Sequence, residues 1–390
     1  MARLLAFAAL LAAAVIQVQA GATCGPGQAL CPSSAPCCSE FGFCQAYGPY
    51  CLGGCNPLSS HTLDSCRPMP ICRDKTYTFA PGNPTLVNAT TYDGNSTAYD
   101  WTIDAGTPLN TNNNGGELAL ILTQDSRAPK GTRISTTEYV LYGTITATIK
   151  TSKWNGVVGA FITMSNIKVR FIVTGQARTK YFGKEIDWEW PGNHPLEAQS
   201  NFFFQGHVDY TAGHGATHTL SSDSYENYHD YTINWQPDQL QFSIDGNVVR
   251  TVRKEETLVD GVYQYPTSPA RVQLSIWPGG LPDSPQGVVT WSGGLIQYNE
   301  PEYQAAGNQY QVLVSKVVIQ CSTSSGLAVG PDTVSYMYGA NDTSGIPTVY
   351  ASNRTALLND GSARYSLPFV GASAWSLIAL AIGAGAALTF

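Results

Sequence analysis

The segment 181–192 constrains the fold more strongly than any other part of the chain. Two sets of residues alternate there: the acids Glu185, Asp187 and Glu189, and the apolar residues Ile186, Trp188 and Trp190. Because successive side chains of a β-strand point to opposite faces, the acids share one face and the apolar side chains share the other. The pattern predicts a strand with one side in a core and an acidic side facing a wet cleft.

Carboxylates this close together also predict chemistry. Like charges raise one another's pKa, so one carboxyl stays protonated while another stays ionised, and glycoside hydrolysis uses such a pair. An ordinary solvated strand face is one alternative. A metal site is a weaker one, because no His lies nearby on the strand. We take Glu185, Asp187 and Glu189 as candidate catalytic residues and expect no metal and no cofactor.

Both ends of the chain resemble targeting segments. Residues 1–20 begin with Arg3, continue as an apolar run and finish Val-Gln-Ala, which predicts a secretory signal cleaved after Ala20. Residues 367–390 are apolar and follow small residues, which predicts a glycolipid (GPI) anchor signal with attachment at Gly361. A transmembrane helix is the alternative, but no Lys or Arg follows the apolar run. We expect a secreted protein, anchored at the outer face of the plasma membrane or located in the cell wall.

The composition favours a carbohydrate partner over a nucleic acid. The net charge is -7 and no basic residues cluster, which argues against phosphate binding. The 21 Tyr and 8 Trp residues suit stacking on sugars. We expect no nucleic-acid partner and a monomeric protein. Four glycosylation sequons fit passage through the secretory pathway; they begin at Asn88, Asn95, Asn341 and Asn353.

Eight of the ten cysteines lie within residues 24–66. An exported segment of that density folds on disulfides, because it is too small to build a sufficient apolar core. The adjacent pair Cys37-Cys38 and the following run Ser39-Glu40-Phe41-Gly42-Phe43-Cys44 resemble the hevein-like chitin-binding module.

This resemblance implies both a disulfide framework and a sugar-binding face. The implied pairs are Cys24–Cys38, Cys31–Cys44 and Cys37–Cys51, with Cys55 and Cys66 left for each other. The implied chitin contacts are the Ser39 hydroxyl and the rings of Phe41, Phe43 and Tyr50. Phe at positions 41 and 43 offers less stacking area than the more usual Trp, but it still presents an apolar face.

Residues 72–321 show short β-rich runs separated by turn residues, without a long amphipathic helix. The predicted strands are 117–122, 139–150, 157–164, 231–235, 240–244, 271–277 and 310–320. This spacing predicts an all-β sandwich or jelly roll. Asp245-Gly246 predicts a hairpin turn, and Cys72 and Cys321 are candidates to clasp the ends of the domain. Residues 322–366, rich in small and polar residues, predict a flexible stalk.

The run Glu185-Ile186-Asp187-Trp188-Glu189 resembles the Glu-Ile-Asp-x-Glu signature of glycoside hydrolase family 16. The flanking sequence is similar to that of the fungal Crh cell-wall transglycosylases, at 161–165, 201–203, 231–235, 276–280 and 291–294. The order of signal peptide, hevein-like module, catalytic domain, stalk and anchor signal also occurs in that family. The resemblance therefore covers essentially the whole chain.

The resemblance implies a retaining double displacement. Glu185 becomes the nucleophile, Glu189 the general acid/base and Asp187 the residue that tunes them. Trp277 is expected to stack on sugar in the cleft, with packing of a rim loop as the alternative. Tyr231 and Trp235 are expected in the core or at the rim.

Residues 166–184 depart from this family pattern, because relatives pass from Met-Ser into the acidic strand through a short turn. Two interpretations stay open for the extra residues: a loop beside the cleft, or a translated intron, which we favour. Lys184 also stands where the family usually has an acid.

The function predicted from these features is cleavage of chitin with transfer of the fragment to β-glucan, which cross-links the wall. One alternative is an endo-β-glycan hydrolase that uses water as the acceptor. The other is a catalytically impaired wall protein that only binds chitin.

Overall fold

The computed structural model describes residues 22–111, 116–124, 131–172, 179–182, 184–204, 214–342 and 347–359. Each predicted run contains a strand, although the run 139–150 forms its strand only from Gly143. Two short helices, α1 (Gln286–Trp291) and α2 (Pro301–Ala305), are present. In chain order the strands are β1 Cys37–Cys38, β2 Cys44–Gln45, β3 Met69–Pro70, β4 Lys75–Tyr77, β5 Leu86–Asn88, β6 Trp101–Ala105, β7 Leu109–Asn110, β8 Leu118–Leu122, β9 Thr132–Thr136, β10 Gly143–Lys150, β11 Val157–Ser165, β12 Val169–Ile172, β13 Thr179–Phe182, β14 Glu185–Pro191, β15 Glu197–Phe203, β16 Ala216–Thr219, β17 His229–Trp235, β18 Gln239–Ile244, β19 Asn247–Arg253, β20 Leu258–Val259, β21 Val262–Tyr263, β22 Ala270–Pro278, β23 Tyr310–Cys321, β24 Ser335–Asn341 and β25 Pro347–Ser352.

Two eight-stranded sheets form a sandwich, which confirms the predicted all-β jelly-roll class. One sheet, here the acidic sheet, has the order β16-β15-β14-β11-β22-β9-β6-β5. The other, here the outer sheet, has the order β19-β18-β17-β10-β23-β8-β7, with β4 added against β23. Strand β14 pairs with β11 and β15, so the three acids lie inside a sheet and not at its edge.

The core between the sheets follows from alternation within the strands. In β10, inward residues are buried and outward residues are half-buried along the whole strand. The apolar side chains of β14 also point into this core. There the ring centres of Trp188 and Trp190 lie 5.5 and 4.5 Å from the ring centre of Tyr231. Tyr231 and Trp235 are fully buried, which selects the core from the two places predicted for them. Each such side chain contributes roughly 1.5–3 kcal/mol when it leaves water.

The predicted hairpin turn at Asp245-Gly246 is confirmed. It joins β18 to β19, and both residues have positive φ, 50° and 77°. Positive φ at two successive positions is the conformation of a type I′ turn, whose twist matches that of the flanking strands.

The cysteine-rich module contains all four predicted disulfides: Cys24–Cys38, Cys31–Cys44, Cys37–Cys51 and Cys55–Cys66. Its regular structure is limited to the β1–β2 pair and a 3₁₀ turn at Gly48–Cys51. The module packs on the sandwich through Leu52, which is buried with Tyr92 and Ala356. A fifth disulfide, Cys72–Cys321, clasps the two ends of the catalytic domain across 249 residues, as the sequence suggested.

The prediction of a flexible stalk is wrong for part of 322–366. Strand β24 pairs with β25 and with β3, so this segment closes a three-stranded sheet with the chain that enters the catalytic domain. Tyr336 and Tyr338 join the main apolar core. The sequence prediction failed because small polar residues surround these aromatic residues, and because β3, one partner of β24, lies far away in sequence. The part of the stalk at 360–366 falls outside the described residues.

The targeting and glycosylation predictions concern the surface and the ends of the chain. Asn88, Asn341 and Asn353 are exposed, whereas Asn95 is half-buried. Among the described residues, no helix has the length and apolar character needed to span a bilayer. The signal peptide 1–20, the anchor segment 367–390 and Gly361 lie outside the described residues.

Removal of β24 and β25 tests this correction. A chain ending at Val334 loses the buried Tyr336, Met337 and Tyr338 side chains, so we expect its stability to fall by on the order of 5 kcal/mol. A chain ending at Asn359 is the matched control and keeps both strands. Equal melting temperatures for the two chains would show that the segment is a stalk after all.

Candidate active site

Strand β14 presents its three acids on the open face of the acidic sheet. Antiparallel pairing places Glu189 beside Ala160 and Gln199, and Asp187 beside Ile162 and Asn201. Glu185 and Glu189 keep part of their surface open to solvent, whereas Asp187 is only 1% exposed. The acidic face and the apolar face of β14 therefore lie as the alternation predicted.

Burial makes ionisation of these acids costly. It raises the pKa of Glu185 to about 8, with a further increase from the charge of Glu189. It raises the pKa of Glu189 to about 7, although a hydrogen bond from the Trp277 side chain opposes that increase. The pKa of Asp187 is raised well above its usual range by burial and then by both glutamates. Groups coupled this closely titrate as a set, so the site holds shared protons near neutral pH.

Asp187 is the most deeply placed of the three acids. Its Oδ2 atom is buried and has no hydrogen-bond partner among the residues that the structure describes, while a backbone hydrogen bond from Asn201 and the charge of Arg250 favour its ionised form. Arg250 reaches from β19, where it donates to the Ser200 carbonyl at 2.8 Å. A buried carboxyl oxygen without a partner can carry a proton and donate it to a neighbouring carboxylate.

Aromatic rings lie beside Glu189. Trp277 belongs to β22, in register with Val158 and Pro191, so its side chain shares the face of the acids. It stacks on Trp291 with ring centres 5.9 Å apart, and Trp291 Nε1 donates to Gln199 Oε1 at 2.8 Å. Sequence reasoning identified Trp277 but missed Gln199 and Trp291, because register with Glu189 and the position of α1 were not visible in the sequence.

The residues expected to bind chitin differ in their surroundings. Ser39 is 3% exposed, and its Oγ donates to the Phe43 carbonyl at 2.9 Å, so its hydroxyl is engaged within the module. The rings of Phe41, Phe43 and Tyr50 are half-buried. Phe41 and Tyr50 meet edge to face at 6.1 Å. The three rings are thus the part of the predicted set that can reach a ligand.

The segment 166–184 continues the β11–β14 pair outward. The Ser165 N–H donates to the Lys184 carbonyl at 3.0 Å, and β12 pairs with β13 beyond that point. Lys184 itself is buried, donates from Nζ to Thr267 Oγ1 at 3.0 Å, and has its pKa lowered to about 7 by burial. The described part of the extra residues therefore contains an antiparallel pair, β12 and β13, located in the chain between β11 and the acidic strand.

Stability should depend on pH through the three acids. Folding raises their pKa, so between about pH 4.5 and 8 the folded state binds more protons than the unfolded state, and stability falls as pH rises. Glu185→Gln removes one of these groups. We expect it to stabilise the protein by roughly 1–3 kcal/mol at pH 8 and by little at pH 4. Thermal unfolding across this range measures the effect.

Glu255→Gln, at an exposed position, is the control for this measurement and should follow the wild-type profile. If Glu185→Gln also followed the wild-type profile, the carboxyls would not be coupled as the geometry indicates.

Comparison with known proteins agrees with this site. Residues 95–293, which include the acidic strand, match the family described as Glycosyl hydrolases family 16. The chain is 35% identical over 347 residues to Crh-like protein 2 of Aspergillus fumigatus, covering 88% of this chain and 72% of that protein. It is 36% identical over 326 residues to Congo red hypersensitive protein 2 of Saccharomyces cerevisiae, covering 83% and 64%.

A solved structure is also similar. It is a Crh5 transglycosylase in complex with NAG, 26% identical, with a TM-score of 0.53 and coverage of 75% of this chain and 96% of that chain. The chain spans 64% of the length of the Saccharomyces relative and 72% of the Aspergillus one. Taken with the acid triplet on a sheet of a jelly-roll sandwich, these matches show that the chain belongs to glycosyl hydrolase family 16 and, within it, to the Crh-like proteins.

Proposed function

We propose that this protein is a retaining transglycosylase that cleaves chitin and transfers the fragment to β-glucan. The observation that carries the proposal is the set of three coupled carboxyls on the open face of β14, with Trp277 and Trp291 beside Glu189. Support for the substrates comes from the similar structure of a Crh5 transglycosylase, which was solved in complex with NAG, and from the hevein-like sequence of residues 24–66.

In the first step, protonated Glu189 donates its proton to the glycosidic oxygen while the Glu185 carboxylate attacks the anomeric carbon. The glycosidic bond breaks, the leaving chain departs as an alcohol, and a glycosyl ester forms on Glu185. In the second step, Glu189 removes a proton from an acceptor hydroxyl, which attacks the same carbon and releases Glu185. Burial raises the pKa of Glu189 to about 7 and that of Glu185 to about 8, so the carboxyls share protons near neutral pH, and the reactive form is the one in which Glu189 holds a proton and Glu185 is ionised.

Retention requires the two reacting carboxyls to be about 5–5.5 Å apart. Cα atoms four residues apart on a strand are separated by roughly 13 Å, so the side chains of Glu185 and Glu189 must lean towards each other over Asp187. Asp187 then lies between them, and its Oδ2 atom, which has no partner within the described part of the chain, can donate to the Glu185 carboxylate when Asp187 is protonated. We assign it that positioning role.

The acceptor decides whether the protein joins chains or cuts them. An aromatic surface formed by Trp277 and Trp291 suits an apolar sugar face better than water, which favours a second glycan as acceptor. Water as acceptor would make the protein an endo-β-glycan hydrolase.

We further propose that a signal peptide at 1–20 exports the protein, that Asn88, Asn95, Asn341 and Asn353 carry glycans, and that an anchor at Gly361 holds it at the plasma membrane or wall.

A transfer assay tests the proposal. The secreted protein is incubated with chitin oligosaccharide and a fluorescent laminarin oligosaccharide, and the labelled hybrid product is measured. We expect product with the wild type, and a loss of roughly 10²–10⁴-fold with Glu189→Gln. Glu185→Gln should remove covalent chemistry altogether, and Glu255→Gln is the matched surface control.

A second version of the chain, lacking 169–183, is tested in the same assay to examine the extra residues. Transfer by the shortened chain alone would identify these residues as a disabling insert or a translated intron. Cleavage without labelled hybrid would establish the hydrolase instead. Chitin binding without turnover by either chain would leave a binding protein and overturn the catalytic assignment.

The Trp277 side chain has two separable roles that predict different kinetics. Its hydrogen bond lowers the pKa of Glu189, so removal of the indole N–H should raise that pKa and move the alkaline limb of the pH–rate profile to higher pH. Trp277→Phe keeps a ring and should change mainly the pH profile. Trp277→Ala should also raise KM, by roughly tenfold or more, because it removes roughly 1.5–3 kcal/mol of apolar contact with the sugar face. Identical kinetics for both variants would contradict this division.

A further inference from the structure

The cysteine-rich module rests on the same sheet face that carries the catalytic acids. Paired residues of antiparallel strands share a face, and the register joins Glu189 to Ala160, Ala160 to Ser275, and Ser275 to Arg133. Arg133 therefore lies in the same row as Glu189, three strand spacings or roughly 14 Å away. The module contacts this row at Arg133, on the β9 side of the open face of the acidic sheet.

Glu40 of the module makes this contact. Its carboxylate pairs with the Arg133 guanidinium, and its other oxygen lies 3.8 Å from Arg271 Nη1. Lys168 Nζ donates to the backbone carbonyl of Glu40 at 2.9 Å. Asp104 completes the group, 3.3 Å from Arg133 and 3.5 Å from Arg271. The module is thus attached through charged groups to strands β9 and β22 of the acidic sheet and to Lys168, while Asp104 of β6 supports the two arginines from within the sheet.

This ion cluster is enclosed, so it fixes the position of the module. The exposed fractions of the side chains are 12% for Glu40, 17% for Arg133, 3% for Arg271 and 1% for Asp104. A buried pair that loses one partner leaves an uncompensated charge, which is strongly unfavourable. The backbone of the module at Gly53 also lies directly against Arg271. A Cβ atom added at Gly53 would lie only 2.4 Å from Arg271 Nη1.

The residue after Glu40 belongs to the ring surface of the module. Phe41 and Tyr50 line a crevice between module and sandwich, together with Glu40, Pro49, Gly53 and Ala89. Ala89 follows β5, so the rings open onto the junction with the catalytic domain at a place farther along the acidic sheet from β14 than Arg133 on β9 is. The two carboxylates of the cluster face three cationic groups, those of Arg133, Arg271 and Lys168.

We propose that the module forms the end wall of the catalytic cleft, so that one chitin chain contacts both the rings of the module and the acids of β14. Glu40 is then a positioning residue that sets how long a chain the site can hold. A module acting as an independent tether would instead bind chitin separately from the cleft. The proposal rests on the chitin substrate of the proposed function.

Binding measured without turnover tests the proposal. In a Glu185→Gln background, the full chain is titrated calorimetrically with chitotriose and with chitohexaose. If one chain spans both surfaces, chitohexaose should bind with one-to-one stoichiometry and roughly 10²-fold more tightly than chitotriose. Adding Glu40→Gln should reduce that ratio to below about tenfold and leave chitotriose affinity unchanged.

Two further variants keep the outcome interpretable. Tyr50→Ala leaves the ion cluster in place and should reduce the length dependence in the same way, even if Glu40→Gln fails to fold. Glu255→Gln should have no effect. The proposal would be overturned if chitohexaose bound at two independent sites. It would also be overturned if the ratio of chitohexaose to chitotriose affinity were unchanged in both Glu40→Gln and Tyr50→Ala, or if Glu40→Gln bound both oligosaccharides more tightly. Lack of turnover by the wild type would count against the proposed function and not against this coupling.

Discussion

The site depends on the burial of one face of a single strand. Ile186, Trp188 and Trp190 pack in the core between the two sheets, and this packing fixes the rotation of β14 about its own axis. The opposite face then holds three carboxyls in a row, although their mutual repulsion and burial disfavour ionisation of each. Neighbouring strands on both sides prevent β14 from relaxing. The apolar contacts on one face therefore stabilise an arrangement of charges that would not persist alone.

The same strand position explains how nearly identical carboxyls can take different roles. Glu189 lies beside Gln199 and receives a hydrogen bond from Trp277, whereas Asp187 lies deeper and interacts with Asn201 and Arg250. These partners come from β15, β19 and β22, so the surroundings of each acid depend on strands other than its own. In the mechanism that we propose, the acids are the reacting groups, and these neighbouring strands decide which of them carries a proton.

The ion cluster around Glu40 extends this dependence to the cysteine-rich module. Four disulfides hold the module together, but nothing in them determines where it sits. Its position comes from the packing of Leu52 and from Arg133 and Arg271, which point from the acidic sheet towards Glu40. The cysteine-rich module and the acidic face are thereby joined at a buried charged contact, a firmer connection than a flexible linker.

The sequence by itself determined the features that depend on local order. Alternation of acids and aromatic residues predicted the two faces of β14, the turn residues predicted the β18–β19 hairpin, and cysteine spacing within a recognisable module predicted its pairs. Only the tertiary structure decided the contacts between different elements of the chain: Trp291 beside Trp277, Glu40 on Arg133, and β24 against β3. Periodicity reports which way a side chain points within its own strand, but register and docking depend on partners in other elements. For that reason the predicted stalk was wrong where a strand found such a partner.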